Sequence, residues 1–201
     1  MTMGHKFNPN KAETLDSPLR TWMLPPSQIL ADLAPGLEEI WADIGCGTGV
    51  YTLPLSKHVE KVYGLDISDK MLNILRAKIL DQQVTNIEPL LSQESIFPLP
   101  DNCVDGIFMA FVAHELDEPE QFLVELSRIL RSGGRLFIVE FAKEGYSLGP
   151  RTSERLEKQS VDNWAFRAGF KPRHDYNWYK KIFGWKYINV VAWEYIKQLR
   201  Q

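Results

Sequence analysis

The sequence predicts an α/β domain: a mostly parallel sheet of seven strands, helices on both faces, and an antiparallel C-terminal hairpin at one edge. Three observations carry this. Apolar runs of strand length alternate with segments of helical period, a glycine-rich turn after the first run leads straight into a helix, and the last two runs lie too close together for a helical crossover. Alternation of this kind implies right-handed crossovers between parallel strands.

Taken in order, residues 1–26 lack periodicity and end in the LPP of LPPS, an irregular lead-in that must pack against something else. A short helix runs from Ser27 to about Ala34 and stops at Pro35-Gly36. Strand candidates follow at 39–44 (EIWADI), 61–66 (KVYGLD), 86–91 (NIEPLL), 104–111 (VDGIFMAF) and 135–141 (RLFIVEF). Between Ser68 and Leu80 the residues Met71, Leu72, Leu75 and Ile79 form one helical stripe, with Ser68 placed to cap its first turn. Another helix begins at Asp117, with Phe122, Leu123, Leu126, Ile129 and Leu130 on one face, and Gly133-Gly134 are read as its stop. A last helix at about 153–168 precedes two strand-like runs, 171–179 and 185–195. The connection from Lys180 to Gly184 permits only a hairpin. No repeat or low-complexity tract interrupts the chain. One domain is therefore expected, with a cofactor-binding core at 27–142 and a C-terminal helix and aromatic hairpin at 143–201.

Composition narrows the functional classes. With 23 Lys+Arg against 26 Asp+Glu the formal charge is −3, which argues against a nucleic-acid binder that works by neutralising phosphates. The apolar run from Gly106 to Ala113 is far shorter than the ~20 residues that span a bilayer. The polar N-terminus has no apolar core of a signal peptide, so a cytoplasmic protein is expected. Cys46 and Cys103 belong to no metal-binding spacing, and no metal site is expected.

The strongest local signal is ADIGCGTG, Ala42 to Gly49, where a strand ends at Asp43 and turns through Gly45, Gly47 and Gly49. Glycines let a backbone turn tightly and approach a ligand that a Cβ would hold off. Asp66, at the end of the next strand and 17 residues beyond Gly49, is placed to accept both hydroxyls of a ribose. A dinucleotide fingerprint would read GxGxxG, but its third glycine position holds Val50, and there is no GxxxxGK[ST]. Asp43 just before the turn would repel phosphate, yet it suits a ligand carrying an amino group and a sulfonium. S-adenosylmethionine is such a ligand.

With ADIGCGTG, VYGLDIS, FPLPDNCVD (97–105) and LSRILRSGGRLFIVEF (126–141) in this order, the sequence resembles the Rossmann-like (class I) S-adenosylmethionine-dependent methyltransferases. Within them it is similar to the broad group around the ubiquinone/menaquinone C-methyltransferases. The resemblance covers about residues 27–142. It implies that Gly45, Gly47 and Gly49, with Cys46 between them, approach the methionine end of the cofactor, while Asp43 orders the turn and meets the amino group. It further implies Asp66 on the ribose, Ile67 and Met71 against the adenine, Gln93 and Glu94 at the adenine amino group, and backbone from Ala110 toward the methionine amino group. Where that family carries an acidic residue, this chain has Gln93. Where the quinone enzymes carry an Arg-Asn segment after the fourth strand, this chain reads FVAHELDEP. The expected acceptor is thus a small molecule of undetermined class.

His114, just after the fourth strand, is the first candidate for a base or acceptor-orienting group, against the reading that it merely caps or packs in its loop. Glu115 beside it is read as solvated. Glu140 late in the fifth strand either faces the acceptor or is a buried carboxylate paired with an Arg. Tyr146, in a loop bounded by Gly145 and Gly149, is a candidate lid residue. From Tyr176 to Tyr195 lie eight aromatics among Lys180, Lys181 and Lys186, read as a two-sided buried hairpin rather than a stacking surface. His5, Lys6, Phe7 and Trp22 are candidates to close over the cofactor. Two rivals remain, an NAD-linked oxidoreductase and a non-catalytic nucleotide-binding or regulatory module.

Overall fold

The computed structural model describes residues 15–17, 25–144, 150–182 and 186–198, with the side chains of 179–188 left aside. Seven strands form one sheet: β1 (Ile40–Ile44), β2 (Lys61–Asp66), β3 (Ile87–Leu91), β4 (Val104–Ala110), β5 (Leu130–Phe141), β6 (Phe170–Ile182) and β7 (Lys186–Lys197). Their spatial order is β3-β2-β1-β4-β5-β7-β6. The first five pair in parallel, and β7 lies antiparallel between β5 and β6. The helices are α1 (Pro26–Leu33), α2 (Thr52–Leu55), α3 (Asp69–Asp81), α4 (Pro119–Ile129) and α5 (Lys158–Arg167).

Two apolar clusters sandwich the sheet. On one face Ile29, Leu30 and Leu33 of α1 and Leu72 and Leu75 of α3 pack with Trp41, Phe108, Phe137 and Val139. On the other, Phe122, Leu123, Leu126 and Ile129 of α4 and Val161 and Ala165 of α5 cover Ile107, Met109, Leu136 and Ile138. Consecutive residues of β4 and β5 thus feed opposite clusters, as the period of two in a strand requires. Both faces being covered explains why these strands read as continuous apolar runs.

α3 begins where its cap was expected, with Ser68 Oγ accepting from the Met71 amide. The end of α4 differs from expectation. The helix stops at Ile129, and Leu130 already pairs with Val104, so Gly133-Gly134 fall inside β5, at the irregularity where the register next pairs Gly106 with Arg135. Buried Leu130 finds its partners in the sheet one turn before the glycines arrive, and tertiary burial overrides the local stop signal. The final helix also starts later than expected: 152–154 form a 3-10 turn and α5 begins at Lys158.

The C-terminal hairpin is antiparallel as read, with both strands longer than their apolar runs. Of its aromatics, Tyr176 and Trp178 stack at 5.7 Å against Phe137, and Trp178 Nε1 donates to Asp32 of α1 at 2.6 Å. Trp193 and Tyr195 lie buried in the opposite cluster. Both faces of the hairpin are therefore used for packing. On β6, the sheet's outer strand, Pro172, a register break before His174 and the charges of Lys171, Arg173 and Asp175 discourage pairing with another chain.

Candidate active site

The sheet order reverses at β1, which has β2 on one side and β4 on the other, and in open α/β sheets ligands settle outside the carboxyl ends of strands at such a point. A cleft of about 440 Å³ lies there, within the ~300–1,000 Å³ that ligand pockets occupy. The ends of β1, β2 and β4 contribute Ile44, Asp66 and Ala110. A larger depression of about 760 Å³ runs along the outer side of α3, but it is open to solvent and every lining residue comes from that one helix. The cleft at the strand ends is the site with converging groups from several elements.

Gly45 and Gly47 line this cleft, and what Gly45 makes room for is protein: a Cβ there would lie 2.3 Å from Val112 Cγ2. At Gly49, with φ +87°, a Cβ would lie 2.5 Å from Leu75 Cδ1, so this glycine admits the side chain of α3 behind the turn. Cys46 and Gly49 do not line the cleft. Cys46 is buried, and burial together with the charges of Asp43 and Asp66 pushes its thiol pKa well up, which keeps it protonated and inert.

Asp43 also stands behind the turn. Its carboxyl is 2% exposed and accepts from the Thr52 hydroxyl at 2.6 Å. Burial lifts its pKa to about 7 against the opposing Thr52 bond, with the charge of Asp66 adding to the rise. It therefore orders the start of α2 from within. Thr52 was not anticipated, because nothing in its own sequence neighbourhood marks it as the partner of a residue nine positions earlier.

Asp66 spends one oxygen on each side of the turn: Oδ2 accepts from the Gly47 amide and Oδ1 from the Ser68 amide, both at 2.8 Å. Burial raises its pKa, and the amides of Ser68, Gly47 and Ile67 act against that rise. A carboxylate has about four lone-pair directions, so the amides leave accepting capacity for a diol. Ile67, 52% exposed, and buried Met71 supply apolar wall beside it, joined by Phe97 and Phe122 from the far side. Gln93 and Glu94 line the same wall, and Glu94 Oε1 accepts from the Asp117 amide at 2.9 Å. Glu115, read from sequence as solvated, instead lines the cleft with its side chain 22% exposed. Among the described lining residues three are carboxylates and none is Lys, Arg or His. A pyrophosphate would be repelled, whereas a sulfonium nucleoside is matched in charge and in its need for one apolar and one diol-binding wall.

His114 and Glu140, 26 residues apart, are brought together. Glu140, 1% exposed, sits one residue from the end of β5 on the side of α4 and pairs with His114 rather than with an Arg. Its Oε2 lies 2.9 Å from His114 Nδ1, and its Oε1 accepts from the His114 amide at 3.2 Å. A carboxylate can only accept, so Nδ1 carries the proton and Nε2 of the neutral ring is left as a proton acceptor. His114 does not itself line the cleft; its Nε2 lies 3.9 Å from Oε1 of Glu115, which does. Burial favours the neutral ring, but the bond to Glu140 and the charges of Glu140, Glu115 and Glu154 outweigh it and hold the imidazole pKa above its ordinary value.

Phe111 and Val112 were not among the expected lining residues. Phe111 carries φ +61°, and this conformation of a bulky side chain has no signature in sequence. Tyr146, the loop 145–149 and His5, Lys6, Phe7 and Trp22 lie outside the described residues. Of the lead-in, Asp16 is described: its Oδ1 accepts from Lys78 Nζ at 2.6 Å and from Thr48 Oγ1 at 2.9 Å. No group of His, Cys, Asp and Glu that would hold a metal occurs among the described residues, and no described helix is long and apolar enough to cross a membrane.

Comparison with known proteins gives concordant results. A family profile described as Methyltransferase domain matches residues 42–138. The ubiquinone/menaquinone biosynthesis C-methyltransferase UbiE of Hahella chejuensis is 38% identical over 105 residues, which is 50% of this chain and 42% of that protein. The chain thus spans less than half the length of that relative. A crystal structure of an S-adenosylmethionine-dependent methyltransferase from Aquifex aeolicus superposes with a TM-score of 0.81 at 34% identity, covering 94% of this chain and 99% of that one. The [4+2]-cyclase SpnF shares the fold, with a TM-score of 0.73 at 17% identity over 87% of this chain and 81% of its own.

Proposed function

From the premise that the chain belongs to the S-adenosylmethionine-dependent methyltransferases, we propose that it moves the methyl group of S-adenosylmethionine to a small-molecule acceptor by in-line displacement. One observation carries the proposal: the cleft at the strand ends is rich in carboxylates and free of cations among its described lining residues, and Glu115 of its lining lies 3.9 Å from the imidazole Nε2 of His114. When bound, S-adenosylmethionine supplies a methyl carbon already activated by a positive sulfur. Asp66 would hold the ribose hydroxyls, Ile67, Met71 and Phe97 the adenine, and Gly45, Gly47 and Ala110 the methionine end. Gln93 and Glu94 would meet the adenine amino group, the backbone serving where Glu94 is already bonded to Asp117.

The protein's chief task is orientation, which can supply several of the ~7–11 kcal/mol available from holding reactants in line. His114 would take the proton of a hydroxyl acceptor at Nε2, while Glu140 fixes the tautomer and stabilises the imidazolium that results. A quinone acceptor is not carried over, because FVAHELDEP stands where the quinone enzymes that this sequence resembles carry an Arg-Asn segment. The fold alone does not fix the chemistry, as the cyclase on the same scaffold illustrates.

Isotopically labelled methyl donor incubated with the protein and a metabolite extract should transfer label to a small molecule. Binding of S-adenosylhomocysteine without any labelled product would favour the non-catalytic module. Absence of heat on titration with S-adenosylhomocysteine would sink the cofactor assignment itself.

A further inference from the structure

We propose that Phe111 is a positioning residue: its left-handed backbone turns the chain after β4 so that one reversal seats Val112 against the glycine turn and delivers His114 to Glu140. The inference rests on the reading of His114 as the acceptor-side base and concerns how that base is held.

Phe111 has φ +61°, and the other non-glycine residues with positive φ among those described are Ala34, Gln83 and Asn102. Ala34 closes α1, Gln83 follows α3, and Asn is a residue type at home in that region. Phe111 alone of these is bulky and lines the cleft. Strained backbone of this kind persists only where its surroundings over-determine it, and it gathers at functional sites.

The neighbours of Phe111 hold it in this conformation. Its amide donates to Val139 O at 2.8 Å, which carries the β4–β5 ladder one residue past the last strand pair, Ala110 and Val139. Its ring is 8% exposed and is clamped between Phe141 of β5, with centroids 4.5 Å apart, and Tyr51 ahead of α2, at 6.5 Å. Continued extended backbone from this point would carry the chain away along the strand direction. The left-handed residue sends it back instead.

Three contacts follow within four residues. Val112 fills the space over Gly45 that a Cβ would occupy. The 3-10 turn Ala113–Glu115 presents the amide and Nδ1 of His114 to the two oxygens of Glu140. Glu115 enters the cleft. The floor under the cofactor and the base beside the acceptor are therefore fixed by one backbone conformation, so their spacing is set by geometry rather than by two independent loops.

The test separates backbone from ring. Phe111→Gly and Phe111→Val both remove the ring, but glycine accepts positive φ freely while a β-branched residue resists it. The readout is the NMR titration of the His114 imidazole in the full chain, assigned among the four histidines by His114→Gln. Thermal unfolding serves as the control for folding. In the glycine variant the imidazole midpoint should stay above the ordinary histidine value, as in the unmodified protein. In the valine variant, with His114 pulled from Glu140 while Glu115 and Glu154 remain nearby, the midpoint should fall below that of the glycine variant.

Equal midpoints in the two variants would overturn the proposal, whether both stay high or both fall, since a fall in both would make ring packing the cause. Should the valine protein not fold, Phe111→Ala against Phe111→Gly makes the same comparison with a milder penalty. Failure of the underlying functional reading shows itself elsewhere: His114→Ala would then leave label transfer from S-adenosylmethionine into a metabolite extract unchanged.

Discussion

Glu140 meets His114 at two points, at Nδ1 and at the backbone amide, so the ring can neither flip its tautomer nor swing without losing a bond to a carboxylate that is almost wholly buried. A buried carboxylate left without its donors is costly. Both partners are thereby held in the arrangement a base requires.

The pair should be visible in the pH dependence. Because the folded imidazole pKa is raised, its contribution to stability is complete below the unfolded value near 6.5 and is lost as pH rises through the folded value. A base must be neutral to act, so methyl transfer should increase with pH through that same elevated value. Glu140→Gln should move this acidic limb to lower pH, and His114→Ala should cost ~10²–10⁴-fold in rate. A pH–rate profile of label transfer checks both, and an acidic limb unmoved by Glu140→Gln would separate the two residues functionally.

Asp66→Ala should weaken S-adenosylhomocysteine binding by ~1.5–3 kcal/mol, the worth of charge-assisted hydrogen bonds. The substitution also strips the Gly47 and Ser68 amides of their acceptor, so the turn itself should loosen. Calorimetric titration gives the answer, and unchanged affinity would remove Asp66 from the ribose site.

Asp43 makes stability depend on pH in the opposite sense from most carboxylates. Its pKa rises from 3.8 to about 7 in the folded protein. The folded state therefore binds its proton more tightly than the unfolded chain, and stability declines as pH climbs from about 4 to about 7, by up to ~4 kcal/mol. Asp43→Asn keeps a partner for Thr52 and should flatten that decline. Denaturant unfolding at pH 5 and pH 7.5 on both proteins measures it, and parallel slopes would show that Asp43 is ionised throughout.

Gly49→Ala should destabilise the protein by ~1–3 kcal/mol, since the new methyl meets Leu75 Cδ1 on a backbone at φ +87°. For a chain of this size that is a drop of roughly 2–12 °C in unfolding midpoint. In a Leu75→Ala background, where the space is cleared, the same glycine substitution should cost less. An equal cost in both backgrounds would mean that the backbone conformation, not the contact, is responsible.

Much of the fold was legible because its signals are local. β2 was read at its observed bounds, β1, β3 and β4 within one residue, and the antiparallel hairpin followed from the length of its connection alone. Within the site, the glycine turn and Asp66 announced themselves by residue type at the end of adjacent strands. Where sequence reading went astray, a distant partner had outweighed a local cue: Gly133-Gly134 look like a helix stop, but Leu130 was already claimed by the sheet. Glu115 reads as solvated because nothing nearby in sequence reveals that the chain has doubled back into the cleft.

The amino-acid sequence by itself determined the order of strands and helices, the sharp turn after β1 and the carboxylate that faces it, since each depends on periodicity or conformational preference within a few residues. Only the tertiary structure decided that Glu140 belongs to His114, that Asp43 is sealed behind the turn on Thr52, that Gly49 exists for Leu75, and that Phe111 is bent the wrong way for a residue of its size. Those are contacts between segments far apart along the chain. They arise from how side chains compete for the same small volume once the sheet has closed, and no single stretch of residues encodes the outcome of that competition.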